Sequence, residues 1–219
     1  MKELVATAVL FLSALPPVQQ SVDPWPTLDR ASATFDSVRT LAADFVQVIT
    51  NPLVGEPDTT RGRLYQMRPN YFEMRFTAPR GDRIVADGRH LWLYTPSTTP
   101  GQVIRAPIPA VGTTGPNLIG QFVDRARERY DARYVRPDTL PGPEGAADVI
   151  ALQPKDPNLP YRSAMLWIGR EDALVRRMEI SETSGQLRTV ILHSLEVNGT
   201  IPGREFKFSV PRGVQVVAQ

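Results

Sequence analysis

The chain has 219 residues, a formal charge of +2 and no cysteine. That length buries a sizeable core without metal or disulfide. The cysteine count excludes a disulfide scaffold, thiol chemistry and Cys-ligated zinc, and two histidines, His90 and His193, leave no basis for a multi-His metal site. So small a net charge gives no footprint for nucleic acid.

The chain opens "MKELVATAVLFLSAL". Lys2 precedes an apolar run from Leu4 to Leu15, too short to span a bilayer and of the length of a signal-peptide h-region. Residues 1–20 are therefore expected to be a signal peptide, with 21–219 as one mature, exported, monomeric domain. Next, "VDPWPTLDRASATFDSVRTL" places Pro24 and Pro26 at a helix start, with Leu28, Ala31, Phe35, Val38 and Leu41 at helical spacing.

From Phe45 the period changes to two. "DFVQVIT", "GRLYQMR", "YFEMRFT", "DRIVAD", "HLWLYT" and "QVIRA" read as short strands, with Asp87-Gly88 as a type I′ hairpin turn. One helix is expected from Pro116 through "GPNLIGQFVDRARER", its apolar arc holding Leu118, Ile119, Phe122, Val123, Ala126 and Tyr130. "PDTLPGPEG" (137–145) reads as a surface loop. "ADVIALQP", "RSAMLWIG", "ALVRRMEIS", "LRTVILHSLEVN" and "REFKFSV" read as further strands, and "GREDA" (169–173) as a hairpin turn. About a dozen mostly antiparallel strands at this spacing predict one strongly curved sheet or a barrel.

Alternation puts Phe72, Met74 and Phe76 on one face and Glu73 on the other. In "HLWLYT" both phases are apolar, so that strand should be covered on both sides, by a helix or by the N-terminal segment. A filled core and a lidded cavity both fit this pattern, and periodicity does not choose between them.

The block "RPNYFEMRFTAP…IVADGRHLWLYTP" resembles the outer-membrane lipoprotein carrier family, LolA. The matching features are Arg68-Pro69-Asn70, Phe72, Pro79, Asp87-Gly88-Arg89 and Leu91-Trp92-Leu93-Tyr94-Thr95-Pro96. Upstream, Phe45 and Gln47 resemble the family's Phe-x-Gln strand, and "FKFSVPRGVQVV" resembles its C-terminal end. The resemblance implies a mainly β fold with helices: an incomplete antiparallel β-barrel with a helical lid over an apolar cavity. It also implies a non-enzymatic periplasmic chaperone without cofactor. Such a carrier takes lipidated proteins from an inner-membrane ABC transporter to an outer-membrane receptor. Phe72, Met74, Phe76, Leu91 and Leu93 become the expected cavity lining. Leu118, Ile119, Phe122 and Val123 become the lid's apolar face, and Arg68 the latch that bonds lid backbone in the closed state.

A carrier or sensor of free lipid or glycolipid on the same fold is the alternative. A hydrolase would need facing carboxylates or a base beside a nucleophile. Glu73, Asp82, Asp87, Glu171 and Asp172 offer no such pair by pattern, and neither G-x-S-x-G nor H-E-x-x-H occurs.

Overall fold

The computed structural model describes residues 22–109, 116, 118–141 and 145–218. The expected signal peptide lies outside the described residues, as does most of the Gly/Thr-rich stretch before Pro116.

Helix α1 (Trp25–Ser37) begins where expected, with proline in its first turn, where a missing N–H costs nothing. The Asp23 carboxylate accepts from the Trp25 N–H at 3.1 Å, just ahead of the N-cap residue Pro24. Leu28 and Ala31 form its buried stripe.

Twelve strands follow: β1 (Thr40–Thr50), β2 (Asp58–Met67), β3 (Tyr71–Ala78), β4 (Arg80–Asp87), β5 (His90–Tyr94), β6 (Gln102–Pro107), β7 (Tyr130–Thr139), β8 (Ala146–Pro154), β9 (Tyr161–Gly169), β10 (Val175–Glu182), β11 (Leu187–Val197) and β12 (Gln215–Ala218). They form one open sheet in the order β12-β6-β5-β4-β3-β2-β1-β11-β10-β9-β8-β7. All pairings are antiparallel except β12 on β6. The expected curved, unclosed β architecture is what the chain adopts.

Local expectations change at several points. The β4–β5 loop is Gly88-Arg89, with positive φ at Gly88 alone; this is the pattern of a type II′ turn rather than I′. Asp87 stays outside the loop, its Oδ1 accepting from the N–H groups of Arg89 and His90. The first three residues of the 137–145 loop belong to β7, which tolerates Pro137 because it is an edge strand. "REFKFSV" is not a strand: Gly203–Phe206 forms a 3-10 turn, and the closing strand comes later, at β12.

The helix expected from Pro116 is two four-residue pieces, α2 (Gly120–Val123) and α3 (Ala126–Arg129), broken by Arg125 in the left-handed region. An unbroken helix would pair the Gln121 carbonyl with the N–H of residue 125. Here the buried Tyr130 hydroxyl donates to that carbonyl at 2.8 Å instead. Burial, then the Tyr161 hydroxyl 2.6 Å away, push the Tyr130 hydroxyl pKa up, so it stays a donor.

Strand β5 is covered on both faces, but the outer cover is the C-terminal segment. Phe208 stacks on Trp92 at 5.4 Å, and Phe206 packs on Tyr71 at 5.6 Å. Beneath this segment lies Glu73, fully buried, accepting from Arg75 and Arg83; Arg75 also donates to Glu205 in the 3-10 turn. The segment is thus fastened to the convex face by apolar and ionic contacts together.

Candidate functional site: the covered concave face

Register builds the concave face row by row. Gln66, Phe72, Ala86 and Leu91 lie side by side across β2, β3, β4 and β5, and Leu64, Met74, Ile84 and Leu93 form the next row. A third row pairs Phe45 and Phe76 across Gly62, the two rings meeting edge to face at 5.2 Å. Gly62 must lack a side chain: a Cβ there would lie 2.0 Å from the Arg75 carbonyl oxygen and 2.8 Å from the Phe45 ring. Beyond this row the face turns polar. Gln47 donates to Thr60 and accepts from Arg188, which also pairs with Glu182. On β1 to β3 the apolar part of the trough therefore ends at Phe45 and Phe76, whereas across β11 to β8 it continues through Val190, Met178, Leu166 and Ile150.

Phe72, Met74, Phe76 and Leu91 are buried, and Leu93 is half-buried against the same cluster. The phase of β5 that faces inward is thus Leu91 and Leu93, with Trp92 and Tyr94 outward under Phe208. Leu118, Ile119, Phe122 and Val123 are buried in that same cluster, together with Leu28 and Ala31 of α1. The structure brings the sequence-predicted wall and the sequence-predicted lid face into one contiguous apolar body.

Beneath α1 that body is packed. The slot beneath α1, lined by Ala31, Phe35, Val38, Leu41, Ile119 and Val175 among others, holds about 10 Å³. This is about one water's worth of room and far too little for a hydrocarbon chain. In that slot the space is taken by the cover's own side chains, Ala31, Phe35, Val38 and Ile119 among them. Phe122, fully buried against the rings of Tyr130 and Tyr161, is the largest of the four lid side chains.

Few polar bonds hold the cover at its open seam. Arg68 donates from Nη2 to the Phe35 carbonyl at 2.7 Å and lies 3.7 Å from the Asp36 carboxylate. Its backbone partner is thus the last turn of α1 rather than the 118–130 segment. That segment is joined to α1 by the bidentate Arg127–Asp29 pair and by Arg127 over the Trp25 ring. Gln66, which the sequence reading passed over, is buried and donates from Nε2 to the Pro116 carbonyl at 2.9 Å. A signal for it existed: Leu64, Gln66 and Arg68 share one strand phase, so a polar residue sits on the apolar face beside the arginine. Between these bonds opens a cleft of about 280 Å³ lined by Phe35, Asp36, Gln66, Arg68, Pro69, Pro116 and Asp124. Among the described residues no group of three or more His, Cys, Asp or Glu could hold a metal ion.

A family model described as outer membrane lipoprotein carrier protein LolA matches residues 36–209. An outer-membrane lipoprotein carrier protein of Albidiferax ferrireducens is 31% identical over 188 residues, 84% of this chain and 86% of the relative. One from Chromobacterium violaceum is 27% identical over 183 residues, 82% of each. Among solved structures, an uncharacterized conserved protein from Thermus thermophilus superposes with a TM-score of 0.55 at 15% identity, covering 89% of this chain and 98% of that one. At that identity the likeness concerns the fold alone. The match over residues 36–209 includes β1 to β11 and the 118–130 segment, with only the last two residues of α1, and the chain belongs to the LolA family of outer-membrane lipoprotein carrier proteins.

Proposed function

We propose that the protein is a periplasmic chaperone that carries lipidated proteins by their acyl chains, the chains replacing the lid's side chains on the concave face. On this reading residues 1–20 direct export and are removed, and 21–219 act as one monomeric carrier unit. The protein receives cargo from an inner-membrane ABC transporter, yields it to an outer-membrane receptor and catalyses no reaction. Family membership supports the carrier role.

The observation that carries the mechanism is the meeting of Leu118, Ile119, Phe122 and Val123 with Phe72, Met74, Phe76 and Leu91 in one cluster. The magnitudes match. Burying a large apolar side chain is worth about 1.5–3 kcal/mol, so the four lid side chains together contribute on the order of 6–12 kcal/mol. A sixteen-carbon chain leaving water gains on the order of 12 kcal/mol, at about 0.8 kcal/mol per CH₂. The exchange of lid for cargo is therefore nearly balanced, which permits both capture and release. With two four-residue pieces, α2 and α3, the cover has little helix of its own to hold it shut.

The test is direct. Intact mass spectrometry of protein extracted from its native host should find co-isolated lipidated proteins, and a fluorescent acyl probe should bind one-to-one. Free lipid as the sole companion would redirect the reading to a lipid carrier or sensor. Failure of both, with the fold intact, would contradict carriage.

A further inference from the structure

Gln66 lies near the end of β2 and Arg68 just beyond it, and each donates to a backbone carbonyl of the cover: Pro116 for Gln66, Phe35 for Arg68. If the cover lifts, both donors lose their acceptors at once. Gln66 is the more demanding of the two, because its side chain is buried and sits beside Phe72 in the register. A buried donor left without an acceptor is costly. Water satisfies both donors while the face stands open, but once an acyl chain excludes that water the loaded state needs carbonyl oxygens at the same two donors.

We propose that Gln66, with Arg68, is a carbonyl-reading site for the polar junction of the cargo. The ligand class is the ester and amide carbonyls that join acyl chains to a glyceryl group and a peptide amine. This rests on the carrier reading and adds its headgroup specificity. Cargo carbonyls take over the bonds that the Pro116 and Phe35 carbonyls hold in the closed form, carbonyl for carbonyl. The tails lie along Phe72 and Met74, directly inward from Gln66 on the same face. The cleft of about 280 Å³ at the seam has room for such a junction, and the Asp36 and Asp124 carboxylates at its rim can accept from peptide N–H groups.

Two fluorescent probes of equal chain length, a pyrene-labelled diacylglycerol and its dialkyl ether analogue, separate this from plain apolar binding. They differ only in the carbonyls. The parent protein should bind the ester about five- to tenfold more tightly, as one or two net hydrogen bonds allow. Gln66→Leu should lower that ratio by about threefold or more, on the same scale of one hydrogen bond. Weakened closure affects both probes equally and cancels in the ratio, so a merely structural role for Gln66 would leave the ratio unchanged. Gln66→Met repeats the test should the leucine variant misfold, and the parent ratio needs no variant. Equal binding of the two probes by the parent, or a ratio unchanged in both variants, would overturn the inference while leaving carriage intact. Binding of neither probe would overturn the carrier reading itself.

Discussion

Arg68 holds Phe35 in two ways: its Nη2 donates to the Phe35 carbonyl at 2.7 Å, and its guanidinium carbon stands 4.4 Å from the centre of the Phe35 ring. The pair fixes the end of α1 at the seam of the cover. Arg68→Leu removes a charged donor, worth about 1.5–3 kcal/mol when well sheltered and less at this half-exposed position. Amide exchange in the last turn of α1 should accelerate by about tenfold, the effect of roughly 1.4 kcal/mol. Release of a bound acyl probe should slow, because closure no longer helps to expel it. Exchange and release rates equal to the parent's would dismiss the latch.

On the opposite face, Glu73 accepts from Arg75 and Arg83 with no exposed surface of its own. Glu73→Gln leaves two guanidiniums facing a neutral amide. Breaking a fully buried ion pair by removing one partner costs about 3–5 kcal/mol, and the partial exposure of Arg75 and Arg83 lowers this to about 1.5–3 kcal/mol, the scale of a hydrogen bond to a charged group. Thermal melting should show a clear drop for Glu73→Gln and a much smaller one for Asp44→Asn, whose own carboxylate is exposed. Similar melting temperatures for both variants would contradict the buried clasp.

The C-terminal cover should respond to acid. The hydrogen bond from Arg75 holds the Glu205 carboxyl below its ordinary value of 4.5, against a smaller opposing effect of burial. A carboxyl lowered on folding favours the folded form when ionised. Its contribution is complete above the ordinary value and is lost as pH falls through the lowered folded value. The ring resonances of Phe206, next to Glu205 and packed on Tyr71, should therefore shift on acidification below about pH 4.5; the Trp92 indole N–H is no reporter, because it donates to Asp87. Glu205→Gln should abolish the pH dependence of that shift. An identical titration in Glu205→Gln would show that another group governs the segment.

The strands were legible because period two survives wherever one face is buried, and the family block at residues 68–96 pointed to the trough. The break in the lid was not legible, because an apolar arc from Leu118 to Tyr130 fits one helix as well as two short ones. What decides is the Tyr130 hydroxyl taking the Gln121 carbonyl, a contact that no local pattern encodes. The outer cover of β5 was hidden for the same reason: Trp92 and Phe208 are brought together only by the completed sheet. Alternation placed Glu73 on the face away from Phe72, but polarity suggested solvent there, whereas Arg75, Arg83 and the C-terminal segment enclose it. Gln66 was half legible: its phase puts it on the apolar face, but nothing local places the Pro116 carbonyl opposite its amide.

The account turns on competition between lid and acyl chain for one face, and Phe122→Ala tests it most directly. Truncating this fully buried ring should lower stability by about 3–5 kcal/mol, as for other buried aromatics. The same truncation reduces what a guest must displace, so titration with a fluorescent acyl probe should give at least a several-fold tighter dissociation constant than the parent. A variant that is less stable and binds the probe no better, or a parent that binds none, would mean that Phe122 belongs to a permanent core and that no acyl chain takes its place.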